Sequence, residues 1–309
     1  MHKPIKVLML CFFSLFAFSL LCFVPDLRGQ TKISDYVGAE ACKDCHPDYF
    51  TSYAKTIHAK KAIPGSPGAG AACESCHGPG GKHVADGGGK GSIVSFNRQE
   101  SPAKKAAMCL ACHDSTQELT FWDMGKHKTM GVSCDVCHTA HSPTMYVRHS
   151  LKAPESVLCL PCHKDVRSQM MRQSRHPIQE GKIKCSDCHA VHGGFGPKMI
   201  KADSDTDLCY KCHTEKRGPF AFEHPPVAEN CATCHQAHGS NHTNLLKSRV
   251  PQLCQACHDT GLGHNSLALT GQHGFMGNAT ANKNRFFAQG CLNCHGNIHG
   301  SNRSPTFER

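Results

Sequence analysis

The sequence predicts a mostly irregular chain with short α-helices and little or no β structure, folded around a core that its own side chains do not supply. Three observations lead there. The 309 residues include 22 Cys and 24 His. The apolar residues are too few for an aliphatic core, and Gly and Pro punctuate every interval between the cysteine clusters.

The apolar fraction is nominally 39%, but 16 apolar residues lie in Val7–Val24 and 20 more are cysteines of one recurrent motif. Roughly 30% of the remaining chain is then apolar, thin against ordinary globular usage. A domain of this length normally buries a large aliphatic core, so something other than side chains must fill it.

The N-terminus comes first in order. His2-Lys3-Pro4-Ile5-Lys6 is basic, and the 18-residue run Val7–Val24 that follows is apolar. This is the pattern of an export signal, and residues 1–29 are assigned to it, with a retained anchor as the alternative. Cys11 and Cys22 are passengers in the run.

Beyond residue 30, all 20 cysteines fall in Cys-x-x-Cys-His pentads, of which there are ten. The cysteine pairs are Cys42 and Cys45, Cys73 and Cys76, Cys109 and Cys112, Cys134 and Cys137, Cys159 and Cys162, Cys185 and Cys188, Cys209 and Cys212, Cys231 and Cys234, Cys254 and Cys257, and Cys291 and Cys294. The histidines that close them are His46, His77, His113, His138, His163, His189, His213, His235, His258 and His295. The pentad is the c-type haem attachment site. Two thiols three residues apart add to the two vinyl groups on one porphyrin edge, and the next residue brings an imidazole to the iron. Zinc ribbons, thioredoxin-like sites and disulfides do not require His directly after the second Cys. Chance would place one there about once in thirteen, so ten in ten identifies ten covalently bound haems.

Each iron needs a sixth ligand. Apart from His2 and the motif histidines, 13 His remain. Taken two motifs at a time, each pair carries one His between its motifs and one shortly after the second: His58 and His83, His127 and His141, His176 and His192, His224 and His238, then His264 (or His273) and His299. These ten are the expected distal ligands, and His149, His242 and one of His264 and His273 are spare. A His three or four residues after a proximal ligand cannot pass round the porphyrin to the opposite face, so it should serve a neighbouring haem. The rival thioethers Met124, Met130, Met145, Met170, Met171, Met199 and Met276 follow no such period, and bis-His ligation implies lower potentials than Met/His.

Successive motifs start 31, 36, 25, 25, 26, 24, 22, 23 and 37 residues apart. So little chain cannot wrap each macrocycle separately, and neighbouring haems must touch and form the core. Helices are expected around the motifs and over Pro47–Ala62, and loops over Gly65–Gly70 and Gly78–Gly91. Five two-haem repeats in series predict an elongated array.

The formal charge of +10 changes sign when haem is counted. Losing residues 1–29 leaves about +8, and ionised propionates bring ten ferric haems to about −2 and ten ferrous haems to about −12. The basic chain is counter-charge for haem, which excludes a nucleic-acid role.

From Gly38 to Pro305 the chain resembles the periplasmic decahaem cytochromes of the MtrA/DmsE family. The most specific stretches are Glu215-Lys-Arg-Gly-Pro-Phe-Ala-Phe-Glu-His-Pro-Pro-Val227, Leu253-Cys-Gln-Ala-Cys-His-Asp259 and Cys294-His-Gly-Asn-Ile-His-Gly-Ser-Asn302. The resemblance implies two pentahaem halves, set at 30–170 and 171–309, with ten bis-His haems in a staggered row. It also implies insertion into an outer-membrane β-barrel porin, a periplasmic or inner-membrane electron donor, and an outer-surface multihaem cytochrome or terminal reductase as partners. The function expected is electron conduction without a catalytic residue. The alternative, a multihaem reductase acting on a metal, nitrite or a sulfur oxyanion, calls for an iron with an open position. Neither a Lys in place of a motif His nor a shortage of distal ligands signals one.

Overall fold

The computed structural model describes residues 35–141, 148–258 and 291–309. The export segment, His264, His273, Met145 and Met276 lie outside the described residues.

Each pentad folds as a single helical turn. The amide of the motif His donates to the carbonyl of the first Cys at 2.9–3.1 Å in nine motifs, and in the third the motif closes the helix Pro102–His113. An i to i+4 bond is the α-helical ring, so both thiols and the imidazole share one side of the turn. Odd-numbered motifs begin in the last turn of a helix: Ala39–Lys43, Pro102–His113, Glu155–Cys159, Asp205–Tyr210 and Gln252–Gln255. Even-numbered motifs are the isolated turns Glu74–His77, Cys134–Cys137, Cys185–Cys188, Cys231–Thr233 and Cys291–Asn293. Helix starts follow local chemistry. Ser101 Oγ accepts the Lys104 amide at 3.2 Å and Ser204 Oγ the Asp207 amide at 3.0 Å, each an N-cap.

Among the described residues the buried apolar side chains are Ala106, Trp122, Met170, Ile200 and Pro251, while Phe195 is 73% exposed and Tyr49 62%. No aliphatic core forms among them, as composition requires. β structure is reduced to isolated antiparallel bridges, three of which repeat one geometry: His138 opposite Leu151, His189 opposite Ile200 and His235 opposite Leu246. Two more, Ser174 with Ser240 and Phe222 with Ser301, tie segments of successive repeats together.

Two local expectations are corrected. The helix expected over Pro47–Ala62 stops at Ala54. Thr56 is extended and buried, and Tyr53 Oη donates to the His58 carbonyl at 3.0 Å, so the chain turns here to present His58 on the 3-10 turn Ile57–Ala59. The stretches read as loops also carry structure: Pro67–Ala69 is a 3-10 turn, and Gly81–Ala85 a short helix bearing His83. Glu74 inside the second motif organises that region. It is 2% exposed, and its carboxylate accepts the amides of Val37, Gly38 and Gly80 at 3.0, 2.9 and 2.7 Å. Gly81 is required there, because a Cβ would lie 2.8 Å from the Asp35 carbonyl oxygen.

Candidate haem-binding sites

The twenty motif cysteines are free and none is fully buried. Cys45, Cys112, Cys162, Cys212, Cys257 and Cys294 are exposed, and the other fourteen are half-buried. The first five are the second cysteines of the odd-numbered motifs. The reason is local: in those motifs the first Cys packs into the end of a helix, as Cys42 does in Ala39–Lys43, while the second lies beyond or at its last turn, as Cys45 does, on the side that polypeptide does not cover.

The arrangement of the thiols orders the motifs in space. Within each pair the first cysteines are neighbours: Cys42 with Cys73, Cys109 with Cys134, Cys159 with Cys185, Cys209 with Cys231 and Cys254 with Cys291. Between pairs the second cysteines approach instead: Cys76 and Cys112, Cys137 and Cys162, Cys188 and Cys212, Cys234 and Cys257. Cys45 belongs to the first motif, before any such junction. Motifs therefore follow one another in space in the order of the sequence. Burial, and after it the facing thiol, pushes Cys42 and Cys254 up to about 11 and Cys209 up to about 12.

Nine motif histidines each face one of the remaining histidines, with ring centroids 5.9–6.4 Å apart. The pairs are His46 with His83, His77 with His141, His113 with His58, His138 with His192 and His163 with His127. The series continues with His189 and His238, His213 and His176, His235 and His299, and His258 and His224. His264 and His273 lie outside the described residues, and among the described residues His295 faces none of the remaining histidines. An imidazole nitrogen binds a transition metal at about 2 Å with the ring centroid about 1 Å behind it, so imidazoles on opposite faces of one iron have centroids about 6 Å apart.

The ring nitrogens are set for such a role. Nδ1 of His77, His138, His189, His235 and His295 lies 2.6–3.2 Å from the carbonyl oxygen of Val94, His149, Lys198, Asn244 and Thr306 respectively. A carbonyl only accepts, so Nδ1 carries the proton and Nε2 keeps its lone pair for iron. His127 and His176 do the same to the carbonyls of Val191 and Ala237 at 2.8 Å. Burial lowers the pKa of His58, His141, His192, His224, His238 and His299. The next cause is the facing motif imidazole in five of them and Lys216 in His299, so the neutral, ligating form is favoured.

Sequence reasoning missed the carbonyl acceptors. His149, taken as spare, contributes its backbone: its φ of 62° turns the carbonyl toward His138. Lys198 and Asn244 do likewise at φ of 54° and 57°. A carbonyl has no side-chain signature, so only the matching positions after each motif could have hinted at it.

Comparison with known proteins agrees with this chemistry. Over 271 residues, 86% of this chain, the sequence is 38% identical to "Multiheme cytochrome MtrA" of Shewanella baltica, covering 79% of that protein. The chain belongs to the MtrA-type multihaem cytochrome family. Residues 176–218 and 224–262 match the doubled CXXCH motif, and residues 90–139 match the cytochrome c554 and c-prime model. A more distant relative, "C-type polyheme cytochrome OmcB" of Geobacter sulfurreducens, is 25% identical over 307 residues, 87% of this chain and 37% of that protein. Family membership makes this a multihaem electron-transfer cytochrome with covalently bound c-type haems, mostly irregular with short helices.

Proposed function

We propose that the chain binds ten c-type haems, each held by its motif His and one distal His, and that it conducts electrons along them. The observation that carries this is the set of nine facing imidazole pairs at 5.9–6.4 Å. The pairs follow a rule. The His between the motifs of one repeat faces the odd motif of the next repeat: His58 to His113, His127 to His163, His176 to His213, His224 to His258. The His trailing a repeat faces the even motif of the previous one: His141 to His77, His192 to His138, His238 to His189, His299 to His235. In the first repeat of this sequence His83 turns back to His46 of its own repeat. The mirror of that exception at the other end assigns the haem of His295 to His264 or His273.

Distal ligands thus knit each haem pair to both neighbours, and electrons can pass in sequence order without leaving the row. The halves 30–170 and 171–309 belong to this proposal as units joined by a ligand, since His192 of the second faces His138 of the first. Among the described residues no helix is long and apolar enough to cross a membrane. A row of haems that is to carry charge across the outer membrane then needs a sheath, and a β-barrel satisfies every backbone polar group in lipid. On this reading the cytochrome is exported to the periplasm and sits in a partner barrel. It accepts electrons from a periplasmic or inner-membrane donor and passes them to an outer-surface multihaem cytochrome or reductase, as an electron carrier without a substrate of its own. Liposomes carrying cytochrome and barrel with reductant inside should reduce an external acceptor. Omitting the barrel should abolish that transfer, and transfer unaffected by omission would contradict the reading.

A further inference from the structure

In the three bridged repeats the chain returns antiparallel to the motif, with the motif His opposite Leu151, Ile200 or Leu246. One step along, a lysine stands opposite the second cysteine each time. The Lys152 amide donates to the Cys137 carbonyl at 2.9 Å, Lys201 to Cys188 at 2.8 Å, and Lys247 to Cys234 at 2.9 Å. Residues directly opposite across an antiparallel pair share a face with Cβ atoms about 5 Å apart. Each lysine stem therefore starts beside the sulfur that becomes a thioether, at the edge where an even-numbered haem meets the next odd one.

Odd-numbered motifs lack this arrangement among the described residues. Four of their histidines are followed within two residues by an exposed carboxylate, Asp48, Asp114, Asp165 or Glu215. Carboxylates also occur in two of the three bridged even motifs. Asp135 is paired with the buried amine of Lys105 at 3.1 Å, and Asp187 accepts the Lys184 amide at 2.8 Å. The motif of Lys247, Cys231-Ala-Thr-Cys-His235, contains none.

The geometry points to Lys152, Lys201 and Lys247 as tuning residues that hold the fourth, sixth and eighth haems at higher potential than the odd-numbered haems that follow them. A ferric haem centre carries one more positive charge than a ferrous one, so a fixed ammonium at its edge favours the reduced state. The three side chains are exposed, so solvent screens the effect and each contribution is modest. From the fourth haem to the ninth the potential then alternates rather than slopes. The inference rests on the proposed haem at each motif and on no particular distal ligand.

The test uses the full-length holoprotein with Lys152→Gln, Lys201→Gln and Lys247→Gln combined, titrated potentiometrically at the haem α-band. Three of the ten haems should move to lower potential, each by about threefold in its reduction constant, or about 30 mV given 59 mV per tenfold for one electron. The triple Lys→Arg variant should retain the parent curve. A Gln curve superimposed on the parent, or an Arg variant displaced as far as the Gln variant, would overturn the assignment. Failure of the ligation scheme would appear separately, as high-spin haem in the unaltered protein.

Discussion

Replacing His192 by alanine is expected to turn one haem, that of Cys134–His138, from low spin to high spin while leaving it covalently attached. His192 faces His138 at 5.9 Å with the rings 29° apart, and the His138 Nδ1–H is held by the His149 carbonyl at 2.8 Å. Removing His192 takes away one axial ligand and leaves the other fully supported. The ferric protein should show one high-spin centre by electron paramagnetic resonance, and conduction past the fourth haem should fall steeply. His149→Ala is the control. Its backbone carbonyl survives the substitution, so the spin state should stay that of the parent. An unchanged spectrum for His192→Ala would show that the facing pair is not the ligand pair.

The second large effect is expected at Gly239. It follows the distal candidate His238, has φ of +151°, and approaches the Gln169 carbonyl so closely that a Cβ would lie 2.0 Å from the oxygen. Gly193 after His192 and Gly300 after His299 repeat the arrangement, with φ of +130° and +142° and contacts of 2.1 Å to the Phe121 oxygen and the Phe220 ring. In each case an earlier segment crosses directly over the residue after the histidine. At Gly239 that crossing is sealed by Met170, 1% exposed, and by the amide of Ser174 donating to the Ser240 carbonyl at 2.9 Å. Gly239→Ala must push the two backbones apart, and it should destabilise the protein by about 3 kcal/mol or more. Chemical denaturation of the holoprotein measures this. A loss within about 0.5 kcal/mol would mean that the crossing is looser than its geometry.

These two residues also show how far the sequence could be read. The pentads were fully legible, because covalent attachment fixes residue type and spacing together. Which of their thiols the chain would leave uncovered was not, since the exposure of Cys45 and its counterparts depends on where each helix ends. The period of the non-motif histidines was visible in the sequence, and the nine candidate distal ligands that fall in the described residues all stand opposite a motif His. Their partners were not legible. His192 lies three residues after His189 yet faces His138, because backbone crossings and not chain proximity decide which ring meets which. The dipeptides His192-Gly193, His238-Gly239 and His299-Gly300 were visible as text, but their meaning depends on Phe121, Gln169 and Phe220 arriving from a previous repeat. Helix ends were misjudged for a similar reason. Pro47–Ala54 stops where His58 must be delivered, and the helix Gly81–Ala85 forms in a glycine-rich stretch because Glu74 holds Gly80. Propensity gives way to the Tyr53 contact with the His58 carbonyl in the first place and to a buried carboxylate in the second.

The central claim is that every haem in this chain has two histidine ligands. One sample of the mature ferric protein decides it: covalent haem is counted per chain while spin state and axial ligation are read by electron paramagnetic resonance and near-infrared magnetic circular dichroism. The ligation scheme predicts ten haems per chain, all low spin with bis-histidine signatures. A high-spin centre, a methionine-to-iron signature or fewer than ten haems in the fully matured protein would contradict it.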